Sequence, residues 1–176
     1  EVTLDTGGSV VLLAESRAGY GNLCQLVSRG RLRSPKGESR VSLQEICEFA
    51  PGLHALWRGH GDLGCLREAF GSDAVHALLA RHLLAGDGER EVELRDIAKR
   101  LDVPTVASTE VLYHSPMRRP LQDVLTCVQH GVTLHSAGAC TRPNAEHALL
   151  APSAIAHRFV DDPLSVERTL AILPYL

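Results

Sequence analysis

No stretch of the 176 residues is apolar for long enough to cross a bilayer, and nothing at the start has the build of a signal peptide. The expectation is a cytoplasmic protein with no membrane contact. An excess of one charge is missing too. The 18 Lys and Arg stand against 21 Asp and Glu, a net charge of -3, so nothing draws the whole chain to nucleic acid or to a lipid surface. Five cysteines (Cys24, Cys47, Cys65, Cys127, Cys140) are odd in number and never spaced as C-x-x-C, which favours reduced thiols over disulfides or a structural zinc site. There is no G-x-S-x-G, no P-loop, no G-x-G-x-x-G, no internal repeat and no low-complexity segment.

What is present is an alternation of strands and helices. Glu1–Leu4 and Ser9–Ala14 read as strands joined by the turn Asp5-Thr6-Gly7-Gly8. Ser16 is placed to cap a helix from Arg17 to Arg29, with Tyr20, Leu23, Cys24 and Val27 on its buried face. A basic loop follows, holding Arg29, Arg31, Arg33, Lys36 and Arg40, and Ser42 with Glu45 forms a capping box for a short helix ending before Pro51-Gly52. Leu53–Trp57 reads as a strand, Arg58–Gly64 as a Gly-rich loop leading to a helix that ends at Phe70, and Ala74–Ala80 as another strand. Asp87 is placed to cap a helix striped by Leu94, Ile97, Ala98 and Leu101, while Pro152 and Pro163 open two last helices, the second covering Leu164–Leu173. The class is therefore α/β with a helical C-terminal end.

The most informative stretch runs from Pro104 to His147. The apolar run Val103–Ala107 predicts a buried strand, and the polar turn Ser108-Thr109-Glu110 follows it, where α/β proteins keep their chemistry. After Ser115-Pro116 and the pair Arg118 and Arg119, the residues Leu121, Val124, Leu125 and Val128 share one face of an amphipathic helix that Gly131 ends. Nine histidines in a chain of this size hint at metal ligands.

Val10–Arg31 (VVLLAESRAGYGNLCQLVSRGR) and the run VASTEVLYHSPMRRPLQDVLTCVQHGVTL…PNAEH resemble the N-terminal PHP (polymerase and histidinol phosphatase) domain of bacterial C-family DNA polymerases, nearest to their error-prone members. The resemblance spans nearly the whole chain but only the later part of such a domain. The family's opening His-x-His segment and its palm, fingers and thumb lie outside it, and the chain, which starts at Glu1 without a Met, reads as a fragment of a longer polypeptide. It implies a single PHP-type domain over residues 1–176, with residues 1–150 as part of a distorted TIM-like (β/α) barrel and residues 151–176 as helices leading toward a polymerase core.

PHP domains that keep their ligands bind up to three divalent metals through His, Asp, Glu and sometimes Cys, and activate water against a phosphoester. The resemblance places three ligand positions here, at Glu1, His82 and Glu110. The alternative for His82 is a loop histidine bonded to solvent. The family's last motif is an Asp-x-His pair. Here Glu110 stands for the aspartate and Leu112, which ligates nothing, for the histidine. His114 is two residues further on, and His60 lies in the loop that lacks the family's cysteine, so these two are the substitutes on offer. The metal cluster is expected to be degenerate, with Zn, Mn or Mg bound only if the missing N-terminal motif completes it.

Two functions follow from the resemblance. One is a non-catalytic or weakly catalytic module that braces an error-prone DNA polymerase in DNA synthesis, repair and damage-induced mutagenesis, with the polymerase core of the same chain, DNA through the full-length protein and other mutagenesis proteins as partners. The other is a metal-dependent phosphoesterase acting in proofreading or pyrophosphate hydrolysis. Arg31, Arg33 and Lys36 are candidate nucleic-acid contacts, the alternative being a solvated loop. Arg118 and Arg119 are candidate partner contacts, the alternative being a solvated pair.

Overall fold

The computed structural model describes residues 1–172. Six strands form one mixed sheet in the order β3-β1-β2-β4-β5-β6. Strands β1 (Val2–Leu4) and β2 (Ser9–Ala14) form the antiparallel hairpin that Gly7 and Gly8 permit with their positive φ. The short β3 (Arg40–Val41) pairs parallel to β1, and β2 pairs antiparallel to β4 (Leu53–Trp57). From β4 the sheet continues parallel through β5 (Val75–Ala80) to β6 (Thr105–Ser108). Every residue of β4 is buried, as expected of an interior strand covered on both faces.

Side chains alternate between those faces. Leu53, Ala55, Trp57, Val75, Ala77, Leu79 and Ala107 point into the larger core under α1 (Arg17–Arg33), α2 (Leu43–Glu48), α3 (Leu63–Phe70) and α4 (Asp87–Arg100). Leu56, Leu78 and Val106 point the other way, to a small cluster completed by Ile172 with Val11 and Leu13 against it. The C-terminal helices α6 (Pro152–Arg158) and α7 (Pro163–Ile172) follow the long segment containing α5 (Arg119–His130). The expected end of α7 at Leu173 lies outside the described residues.

Arg81 ties this C-terminal part down. It pairs with Glu91 at 2.7 Å and Asp161 at 2.6 Å, donates to the Arg158 carbonyl at 2.7 Å, and lies 4.5 Å over the Phe159 ring. The Arg81 guanidinium holds the Asp161 carboxyl down at about 2. Ser165 and Arg168 of α7 hydrogen-bond Thr105, fastening the helix along β6.

Three expectations need correction. Helix α1 runs on to Arg33, so the start of the expected basic loop, with Arg29, Arg31 and Arg33, is helical. Its buried line is Gly19, Leu26 and Gly30, with Leu23 and Val27 only partly covered and Tyr20 63% exposed. The helix docks through its glycines: a Cβ on Gly19 would stand 1.8 Å from the Gly52 carbonyl oxygen, so close approach sets the seam and large side chains do not. Asp87 does not cap α4, whose N-cap is Gly86. Its carboxylate turns back to accept from the backbone N–H of His82 at 2.7 Å and of Leu84 at 3.1 Å. Third, α5 forms as the periodicity predicts, but Leu121, Val124, Leu125 and Val128 are 43–74% exposed. Among the described residues, no helix is long and apolar enough to cross a membrane.

Candidate metal centre

The three parallel strands release their chains at one edge of the sheet, and the residues that follow them converge. Arg58 follows β4, Arg81 and His82 follow β5, and Thr109 and Glu110 follow β6. Carboxyl ends of parallel strands are where α/β sheets gather polar groups, because the last side chains clear the core while the backbone stays rigid. Both loops are bent sharply here: Leu83 has φ 58° and Glu110 φ 45°, left-handed conformations that cost roughly 1 kcal/mol or more without glycine.

The third contributor comes from far along the chain. Residues 147–149 run beside residues 112–113, with Leu112 donating to the His147 carbonyl and Leu149 to the Tyr113 carbonyl, each at 2.9 Å. Asn144 donates to the His82 carbonyl at 2.5 Å and Arg158 pairs with Glu146, so this segment is clamped from both sides. The result stacks the His147 ring on that of His82, 3.8 Å between centroids. One ligand atom from each of His82, Glu110 and His147 lies within 4.8 Å of the others. Two imidazoles and a carboxylate are a donor set of the kind a divalent transition metal takes.

The details of that set are less welcoming. His82 is buried, so it is no solvent-bonded loop residue. Its Nε2 lies 3.3 Å from the Thr109 carbonyl and 3.6 Å from Glu110 Oε2. A carbonyl only accepts, so a hydrogen bond there engages that nitrogen as the donor, and an ion would have to displace it. His147 Nδ1 meets the Glu110 carbonyl at 3.1 Å, which leaves its Nε2 as the free donor. Burial holds the His147 pKa below the ordinary histidine range, keeping the ring neutral. Glu110 itself is ion-paired with Arg58. The residues present match a single ion in type and spacing, but as bonded here they do not fit a hydrolytic multi-metal cluster.

The other candidates are scattered. Glu1 reaches the rim of the site, accepting from the Ser9 hydroxyl at 2.6 Å and from Arg58 at 2.8 Å. Burial works against its charge, but Ser9 and Arg58 outweigh that and hold its carboxyl below the usual range. His60 stands exposed against the β1–β2 turn at Gly8, and His114 is exposed outside the group of three. Leu112 is 40% exposed. Arg33 is engaged by Glu45 and the Arg40 carbonyl, whereas Arg31, Lys36 and Arg118 are open to solvent. Arg119 donates to the Arg142 carbonyl at 2.8 Å. An open cavity of about 290 Å³ lies beside the site, with Glu1, Arg58, Ser108, Glu110, Arg142 and His147 among its lining. His147 and Arg58 were not singled out from the sequence. The first sat in plain view in PNAEH, and no local pattern marked the second.

No model of a protein family matches the chain. Curated relatives do. The error-prone DNA polymerase of Anaeromyxobacter sp. (strain K) is 40% identical over 165 residues, covering 88% of this chain and 14% of that protein. Error-prone DNA polymerase 1 of Agrobacterium fabrum is 34% identical over 175 residues, 96% of this chain and 16% of its own length. That of Pseudomonas aeruginosa is 37% identical over 153 residues, 85% of this chain and 15% of its own. Over most of its length this chain is homologous to one segment of bacterial error-prone DNA polymerases. It spans about a seventh of the length of these relatives.

Proposed function

We propose that the chain is the PHP-type module of an error-prone DNA polymerase, acting in DNA synthesis during repair and damage-induced mutagenesis, and that it serves as a structural and interdomain element with little or no hydrolytic activity of its own. In this reading residues 1–176 form one domain: part of a TIM-like barrel, continued by C-terminal helices toward a cytoplasmic polymerase core. DNA is met through the full-length protein.

The observation that carries the reading is the poverty of the donor set. Among the described residues only His82, Glu110 and His147 converge as a candidate metal group, and Leu112, in the place of the family's histidine, adds no ligand. Activating water and neutralising a phosphoester by two or three ions takes more ligands than this. The exposed apolar face of α5 supports the interdomain part, since a contiguous apolar surface of this kind is what one module of a larger polypeptide presents to its neighbour.

The competing reading, a metal-dependent phosphoesterase, is favoured by the convergence of those same three residues. Elemental analysis of the purified chain and an assay with p-nitrophenyl phosphate in zinc, manganese and magnesium separate the two. The expected result is substoichiometric metal and no turnover above buffer. Two or three bound ions per chain, with turnover abolished by Glu110→Ala, would overturn the structural reading.

A further inference from the structure

Arg58 occupies the middle of the site. Its Nη1 donates to Glu1 Oε1 at 2.8 Å and to Ser9 Oγ at 3.2 Å, while its Nη2 pairs with Glu110 Oε1. The side chains of Arg58 and Glu110 are each 17% exposed, so this pair is little screened by water. The loop that carries Arg58 is held in turn by Arg90, which donates to the Arg58 carbonyl at 3.3 Å.

We propose that Arg58 is a resident cation: its guanidinium supplies the positive charge that Glu1 and Glu110 call for, and so keeps the His82-Glu110-His147 group metal-free. The inference rests on the structural reading of the module and says what replaces the metal in it. Two carboxylates facing one another need a positive charge between them, and a guanidinium meets that need bidentately, as a planar fork between two acceptors. A divalent ion bound to Glu110 would have to displace that guanidinium or sit beside it, and like charges at such range in a half-buried site oppose each other strongly. The hydrogen bonds agree with the charges. His82 Nε2 faces the Thr109 carbonyl and His147 Nδ1 the Glu110 carbonyl, so each ring has one nitrogen engaged by the protein without an ion.

The consequence is a latent site. With the guanidinium removed, Glu1 and Glu110 lose their counter-charge, and Glu110 is free to join His147 Nε2 on an added ion, with His82 following once its ring gives up the Thr109 bond. The test measures zinc affinity by calorimetry and the midpoint of thermal unfolding, in EDTA and in zinc, for the native chain, Arg58→Gln and Arg58→Lys. The native midpoint is expected not to move between EDTA and zinc. Arg58→Gln should unfold at lower temperature in EDTA, recover in zinc, and bind zinc about 10–100-fold more tightly than the native chain. Adding Glu110→Gln to Arg58→Gln should erase that gain, which separates this site from zinc held by cysteines or exposed histidines. Arg58→Lys keeps the charge without the fork and should remain indifferent to zinc, which preserves the test if Arg58→Gln does not fold. Zinc affinity equal in the native chain and Arg58→Gln, native destabilisation by EDTA, or a gain of zinc affinity in Arg58→Lys would each overturn the inference. Phosphomonoester hydrolysis by the native chain would instead overturn the structural reading, whatever the Arg58 variants do.

Discussion

The two faces of the sheet do different work. One face meets four helices and holds a continuous apolar core from Val2 and Leu4 through Leu53, Ala55 and Leu79 to Phe159. The other offers, among the described residues, a small cluster of Leu56, Leu78, Val106 and Ile172 and carries polar groups: His54, His76 and, at the strand ends, Arg58, His82 and Glu110. Residues adjacent in sequence thus live in different media. The contrast teaches that stability resides on the helix-covered face, which leaves the opposite face free to hold charge.

Adjacent residues of β5 give the sharpest way to break that contrast. Leu79 is fully buried under the helices, and Leu78 lines the open cavity on the other side. Leu79→Ala should cost ~2–5 kcal/mol in urea denaturation, while Leu78→Ala, beside space that water already reaches, should cost about half as much or less. Equal costs would mean that the second face is as tightly packed as the first.

The next effect belongs to His76, buried on the polar face. Burial, then His54, then Arg168 lower its pKa from 6.5 to about 4, so the folded chain holds it neutral. Between those values the unfolded chain takes up a proton that the folded chain refuses, so stability falls as pH drops from 6.5 toward 4 and this contribution levels off below. The loss should be on the order of 2 kcal/mol and should shrink in His76→Leu, as read from denaturation midpoints across that range. An unchanged pH profile in the variant would place the acid sensitivity elsewhere.

The smallest effect is expected at α5. Val128 is 74% exposed on the helix's apolar stripe. Val128→Ser should change the unfolding free energy of this chain by less than about 0.5 kcal/mol. A larger loss would show that the stripe is covered within this chain and would remove its support for an interdomain role.

How far the sequence was legible depends on the range of the interaction. The β1–β2 hairpin, the Ser42–Glu45 capping box, β4, β5 and the Gly131 stop of α5 are all local matters of turn chemistry, caps and periodicity, and all are found where the residues place them. The buried seam of α1 was not legible, because it depends on Gly19 meeting Gly52 across the fold. Asp87 read as a helix cap because the spacing was right, but the two N–H groups of the His82 loop compete for its carboxylate and win.

At the site, His82 and Glu110 stand at strand ends, and it is the resemblance to the family's motifs that points to them. His147 reaches them only because residues 147–149 run alongside residues 112–113. Arg58 does so only because β1 pairs through β2 to β4 on one side and β6 through β5 to β4 on the other, which brings Glu1 and Glu110 to it. The sequence by itself determined the α/β class, most of the elements and the kinship with error-prone polymerases, since propensity, capping and shared motifs are written in neighbouring residues. Only the tertiary structure decided which side chains share the centre and which charge answers Glu110, because electrostatic partners are chosen by distance in space.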